Sequence, residues 1–252
     1  METTRPIVLS IAGLDPCGGA GLLADIKTFE QHKVYGLGIC SAQTVQNENE
    51  FFDIRWEDTD AIICAIEKML LCYEVKTVKI GIVKNIAVLN KIVSFIHQKN
   101  KSIKIVIDTI FKSSSGFDFW EEAMNEDFLF EIFSKAFLIT PNFNEAIQLV
   151  KNSDAKEAAI KLSTYCNVLL KGGHNSEESG VDYLFTKNDV EKLLPTATKK
   201  ITAKHGSGCV LSAAIVSNLA LGFDLPISCL NAKKYIEQFL SSNESLLGYH
   251  YA

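Results

Sequence analysis

Short apolar runs alternate with segments of helical period along this chain, and that alternation restricts its fold more than any other feature. Ile7 to Ala12 is a near-continuous apolar run ended by Gly13, the pattern of a strand buried on both faces. Ala20 to Lys33 follows with Leu22, Leu23, Ile26 and Phe29 at helical spacing. Further strands are expected at Gly38 to Ala42, Thr77 to Ile80, Lys104 to Asp108, Phe137 to Thr140 and Val168 to Lys171, with helical patterns such as Thr59 to Cys72 and Asn85 to Gln98 between them. This order predicts an α/β fold in which a mainly parallel sheet is covered by helices on both faces and ligands bind at the carboxyl ends of the strands. Val181 to Thr186 and Glu191 to Pro195 have no helix between them and are expected as an antiparallel margin. Leu211, Ile215 and Leu219 mark the buried face of a helix closed by Gly222, and Pro226 to Ser241 reads as a last helix. No linker, repeat or low-complexity tract interrupts the pattern, so one domain is expected over residues 1–252.

With 252 residues and 47% hydrophobic composition, the chain can bury a sizeable core. A net charge of -5 argues against a nucleic-acid or anionic-membrane partner, since either demands a basic surface, and favours a small-molecule substrate. Seven cysteines are scattered without a C-x-x-C pair, so neither a disulfide framework nor a zinc site is expected. The apolar run after Pro6 is too short for a signal peptide or a span, and the expected compartment is the reducing cytoplasm.

Chemistry concentrates at the predicted strand ends. His205-Gly206-Ser207-Gly208-Cys209 runs straight into the helical stretch Val210 to Leu221. Its glycines let backbone N–H groups approach an anion, and the helix adds the positive end of its dipole. Cys209 at that helix start is expected to have a lowered thiol pKa and to accept a proton; the alternative is a small buried residue. The first strand leaves through Gly13-Leu14-Asp15-Pro16-Cys17-Gly18-Gly19-Ala20-Gly21, which matches neither the dinucleotide fingerprint nor the P-loop. Asp25 lies just inside the next helix, where an acid could equally stabilise the first turns.

Gln46 follows the strand containing Ala42, and its amide suits a heteroaromatic ring with a nitrogen acceptor beside an amino donor; an ordinary loop glutamine is the alternative. Asp108 closes a strand at the same edge. Asn142 and Glu145 have N-x-x-E spacing at a helix start, which fits either a hydrated magnesium ion or a capping box. Lys171-Gly172-Gly173-His174 places an ammonium and flexible backbone where phosphates could bind, and Lys112 is a second candidate cation.

In this order the motifs resemble the ribokinase-like superfamily, and within it the hydroxymethylpyrimidine and phosphomethylpyrimidine kinases of thiamine biosynthesis. The likeness is carried by Gly18-Gly19-Ala20-Gly21 with Ala24-Asp25-Ile26-Lys27-Thr28-Phe29, by Tyr35-Gly36, Gln46-Asn47, Lys79-Ile80-Gly81, Thr140-Pro141-Asn142 with Glu145, and Lys171-Gly172-Gly173-His174. It is most specific at His205 to Cys209, because the superfamily at large usually has aspartate where this branch has cysteine. The resemblance implies a three-layer ribokinase-like fold, ATP and magnesium as cofactors, and a homodimer. It implies Cys209 as the base, with Gly206, Ser207 and Gly208 as the anion hole. It implies Gly13, Asp25 and Gln46 as pyrimidine ligands, with Thr44, Ile82 and Ile110 lining the ring. Asn142, Lys171 and Gly172 would meet the nucleotide, and Asn142, Glu145 and Asp108 would position magnesium. The sequence departs from the pattern at Lys204 and Ser207, where many relatives have threonine, and at Thr44, where valine is frequent. The implied reaction is phosphorylation of 4-amino-5-hydroxymethyl-2-methylpyrimidine and of its monophosphate; rivals are a pyridoxal kinase of the same branch and a non-catalytic pyrimidine binder.

Overall fold

A computed structural model describes residues 5–110, 126–175, 178–196 and 201–251. Its centre is a nine-stranded sheet of order β3-β2-β1-β4-β5-β6-β7-β8-β9. The strands are β1 (Ile7–Leu14), β2 (Tyr35–Gln46), β3 (Phe51–Trp56), β4 (Val75–Ile80), β5 (Lys104–Ile107), β6 (Leu138–Ile139), β7 (Asn167–Leu170), β8 (Asp182–Phe185) and β9 (Val190–Leu193). The helices are α1 (Gly21–Gln31), α2 (Thr59–Cys72), α3 (Ile86–Lys99), α4 (Glu126–Phe133), α5 (Phe143–Leu149), α6 (Ala155–Ser163), α7 (Ser207–Ala220) and α8 (Leu225–Leu240). Strands β2, β1, β4, β5, β6 and β7 are parallel, and β8 and β9 continue the sheet antiparallel, as the missing crossover helix predicts.

The pleat divides the apolar residues between two layers. Leu9, Ile11, Val78, Ile80, Ile105 and Ile107 point toward α2, α3, α4, α5 and α6, where Ile66, Leu89, Ile92, Phe133 and Leu162 are buried. Val8, Val106, Leu138 and Leu169 point the other way, onto Phe29 of α1, Ile215 of α7 and Phe239 of α8. Alternate residues face opposite sides, so every apolar position of these central strands finds a helix.

The structure corrects the sequence reading in three places. Strand β3 was not expected; it returns antiparallel on β2, forming a second margin, and Gln46 is the last residue of β2 rather than part of a loop. Its alternation is weak because Phe52 and Asp53 are both exposed at the sheet edge. Helices α4 and α6 also went unread, α6 because its buried face is built from Ala155, Ala158, Ala159 and Leu162, and alanines give a faint apolar signal. Helix α7 has no single apolar face, since every residue from Cys209 to Leu219 is buried.

The strand order fixes where a ligand can bind. From β1 the chain adds β2 and β3 on one side of the sheet and then β4 to β9 on the other, and a crevice opens beyond the carboxyl ends at such a reversal. Gly13, Ile82, Asp108, Thr140 and Lys171 all lie at or just past those ends.

Candidate active site

Two glycines bring two loops into contact at this edge. Gly206 precedes α7 with φ 73, and a methyl group on it would lie 2.0 Å from the Gly19 carbonyl oxygen, so only glycine fits the left-handed conformation and the approach. Gly21, at φ 55, would carry its methyl group 2.2 Å from the Gly13 carbonyl oxygen. The buried Asp15 carboxylate organises this loop by accepting the N–H groups of Cys17, Gly19 and Ala20 at 3.0, 3.1 and 2.8 Å. It also meets His205 Nε2 at 3.0 Å, tying the loop after β1 to the loop before α7. Burial raises the Asp15 carboxyl, but the contacts with His205, Cys17 and Ala20 outweigh it and hold the group below its usual range.

Helix α7 starts on Gly206 with no side chain capping it, so its first N–H groups are available to an anion. Charged groups stand beside this first turn: a methyl group on Gly208 would lie 3.6 Å from Lys171 Nζ and 3.8 Å from Asp108 Oδ2. Lys171 donates to Asp108 Oδ1 at 3.0 Å and stands 3.8 Å from Glu145 Oε2. Asp108 also accepts from Thr140 Oγ1 at 3.0 Å and Ser212 Oγ at 3.1 Å. Burial favours its neutral form, yet Lys171 and Lys79 keep its carboxyl below the usual range. Burial, with Asp108 nearby, pushes Glu145 up against the pull of Lys171. One ammonium thus stands between two carboxyl groups, an arrangement rich in hard oxygen donors.

Asn142 and Glu145 form the capping box that their spacing allows. The Asn142 side chain accepts the Glu145 N–H at 2.9 Å, and Glu145 Oε2 accepts the Asn142 N–H at 2.7 Å. Thr109 Oγ1 reaches the same Oε2 at 3.3 Å. The cap places Glu145 beside Lys171, so the box and the site are one piece of structure. The Gly172 N–H is already donated to Asp182 Oδ1 at 2.7 Å.

Cys209 departs from expectation. The helix start was expected to lower its thiol pKa, but burial pushes it up to about 11; Lys79 and the Gly21 N–H oppose this, while Asp25 and Asp108 add to it. Desolvation is larger here than the helix-end field, because the buried thiol would lose most of its hydration as a thiolate.

Asp25 is fully buried, with Oδ1 accepting from Lys79 Nζ at 2.5 Å and Oδ2 accepting from Ser10 Oγ at 2.6 Å. Both oxygens are thus engaged within the protein. Lys79 itself carried no role in the sequence reading, although a lysine inside a strand covered on both faces requires a buried partner. Burial opposes its charge, but Asp25, Cys209 and Asp108 raise its pKa and keep it protonated.

Gly13, Ile82, Thr44 and Gln46 come together around the carboxyl end of β1. A methyl group on Gly13 would lie 2.5 Å from Ile82 Cδ1. Thr44 Oγ1 donates to the Leu14 carbonyl at 2.9 Å and accepts from Gln46 Nε2 at 2.9 Å, so its hydroxyl orients the glutamine amide. Ile110 follows Asp108 by two residues, half-buried. Lys112 lies outside the described residues.

The family model for phosphomethylpyrimidine kinase matches residues 15–251. The chain belongs to that family. It is 33% identical to the hydroxymethylpyrimidine/phosphomethylpyrimidine kinase of Aquifex aeolicus, over 95% of this chain and 96% of the relative. Among solved structures, the phosphomethylpyrimidine kinase of Clostridium difficile is 30% identical with a TM-score of 0.76, covering 92% of this chain and 98% of its own. The pyridoxal kinase of Bacillus subtilis, solved as an ADP complex, is 27% identical with a TM-score of 0.81 over 96% of this chain and 94% of its own. Family membership makes the chain a kinase, and the fold is the ribokinase-like α/β arrangement. No helix among the described residues is long and apolar enough to cross a membrane.

Proposed function

We propose that the protein transfers the γ-phosphoryl group of ATP to the hydroxymethyl oxygen of 4-amino-5-hydroxymethyl-2-methylpyrimidine, and then phosphorylates the resulting monophosphate, in thiamine biosynthesis. The uncapped N terminus of α7, with Gly208 beside Lys171 and Asp108, carries this reading. Phosphoryl transfer is catalysed by alignment and charge stabilisation more than by covalent chemistry. Gly206, Ser207 and Gly208 supply N–H groups to the moving phosphoryl, and Lys171 supplies a full positive charge. Cys209 takes the substrate's hydroxyl proton. Magnesium fits the two carboxylates beside one ammonium: Asp108 and Glu145 would hold it through oxygen, and it would neutralise the nucleotide's phosphates.

Gln46 spends one N–H on Thr44, which leaves its amide oxygen and second N–H for the aminopyrimidine edge. Gly13, Ile82 and Ile110 border the ring, while Asp25 acts from below through Lys79. The reading includes one kinase domain, a homodimer and a cytoplasmic location; light scattering tests the dimer. The solved pyridoxal kinases keep a second substrate in view. ADP release is to be measured with the hydroxymethylpyrimidine, its monophosphate and pyridoxal, each with magnesium and with a chelator. Magnesium-dependent release with both pyrimidines is expected. Release with pyridoxal alone would replace the pyrimidine assignment, and release with none would remove the proposal.

A further inference from the structure

Lys204 sits directly before the loop that opens α7, and its residue is only 6% exposed. An ammonium has three protons, and this one places them on three oxygens: Thr202 Oγ1 at 2.6 Å, the Asn243 carbonyl at 2.6 Å and the Ser245 carbonyl at 2.7 Å. Two of the three belong to the main chain of the last turn, 39 and 41 residues away. That turn is internally fixed, with Asn243 Oδ1 accepting from Ser245 N and Oγ at 2.9 Å and Asn243 Nδ2 donating to the Leu247 carbonyl at 2.9 Å.

The turn in turn holds the active-site loop. The His205 N–H donates to the Leu246 carbonyl at 2.9 Å. A methyl group on Gly19 would meet both His205 Cδ2, at 2.7 Å, and Leu247 Cδ2, at 2.8 Å. Thr202 Oγ1 reaches the Leu240 and Asn243 carbonyls at 3.1 and 3.0 Å. A chain of contacts therefore runs from the Lys204 ammonium through the terminal turn to His205, Asp15 and the glycine loop, ending one residue from the left-handed Gly206.

We propose that Lys204 is a positioning residue whose tethered ammonium does the work of a bound monovalent cation, clamping the terminal turn 243–247 onto the loop that sets the N terminus of α7. Neutral carbonyl and hydroxyl oxygens converging on a desolvated single positive charge are the ligand chemistry of potassium or ammonium. The proposal deepens the kinase reading and rests on it for the effect on turnover. Removing the side chain leaves the oxygen cage without its cation, and a free ion of similar size can then enter.

The test compares wild type, Lys204→Ala and Lys204→Met in choline chloride, potassium chloride and ammonium chloride at equal ionic strength. Wild-type turnover should be the same in all three salts. In choline, Lys204→Ala should lose roughly tenfold to a hundredfold in kcat, the scale of a small misplacement of catalytic groups, with KM for the pyrimidine changed far less. Potassium or ammonium should restore it, whereas Lys204→Met, whose apolar side chain fills the cage, should stay impaired. Thermal unfolding gives a readout independent of activity: potassium should raise the midpoint of Lys204→Ala and leave wild type unmoved. Recovery of folded Lys204→Ala only from potassium buffer would support the clamp equally. Unchanged kcat of Lys204→Ala in choline, equal restoration by choline, or a midpoint indifferent to potassium would overturn it. A wild type that releases no ADP would sink the kinase reading alone, because the unfolding comparison would still decide the cation cage.

Discussion

Lys79 and Lys171 each meet an aspartate at the carboxyl edge of the sheet, at 2.5 and 3.0 Å, but the two pairs are built for different work. The Lys79–Asp25 pair is fully buried on both sides, and a serine completes the carboxylate. Charge and hydrogen bonds balance there without a ligand. Lys171 keeps 14% of its side chain exposed and faces a second carboxylate, Glu145, beside the open end of α7. The sealed pair lies near Cys209 and is satisfied within the protein, whereas the open pair borders a second carboxyl group beside the end of α7. Burial alone therefore does not mark a functional ion pair; an unbalanced charge at an accessible edge does.

Substitutions can break this contrast. Lys79→Met should lower stability by about 3–5 kcal/mol, because it leaves the buried Asp25 carboxyl without its ammonium. The double variant Lys79→Met/Asp25→Leu should recover most of that loss in denaturant unfolding while keeping KM for the pyrimidine. A large rise in KM would instead give Asp25 the ligand role read from the sequence. Lys171→Met should reduce kcat by about 10²–10³-fold, the usual cost of removing one charge-stabilising group, with a smaller effect on unfolding.

Cys209→Ala should fold, bind ATP and turn over about a hundredfold more slowly. Near-normal turnover would remove Cys209 as the base. The free-enzyme thiol, pushed up to about 11 by burial, must lose its proton to act. Its active form therefore becomes more abundant as pH rises, and kcat/KM should climb about tenfold per pH unit from neutrality upward without a plateau below pH ~9. A plateau near neutrality would mean another base. The smallest effect belongs to Asn142→Ala, which should cost about 1 kcal/mol through loss of the cap; a rise in KM for ATP beyond that would add a direct nucleotide contact.

The open region was largely legible in the sequence. Asp108, Thr140 and Lys171 each end or follow an apolar run, and strand ends in a parallel sheet share one edge, so spacing alone gathers them. The sealed region was not. Lys79 and Asp25 are 54 positions apart, and no local pattern announces that a strand lysine and a helix aspartate will meet under the site. The same holds for Asp15 with His205 and for Lys204 with the terminal turn, whose partners are backbone carbonyls and carry no residue-type signal. The capping box at Asn142 and Glu145 was visible from spacing, and the structure makes it the device that aims Glu145 at Lys171.

Local chemistry written in the sequence determined the layer order, the direction of the central strands, the glycines that permit close loops and the family to which the chain belongs. These follow from apolar period, turn residues and motif spacing, which neighbouring residues settle among themselves. Tertiary structure decided protonation and partnership: that Cys209 is a high-pKa thiol rather than a thiolate, that Asp25 faces inward, and that Lys204 is caged by the last turn. Those properties depend on which groups lose their water together, and desolvation is set by contacts between segments that the sequence keeps far apart.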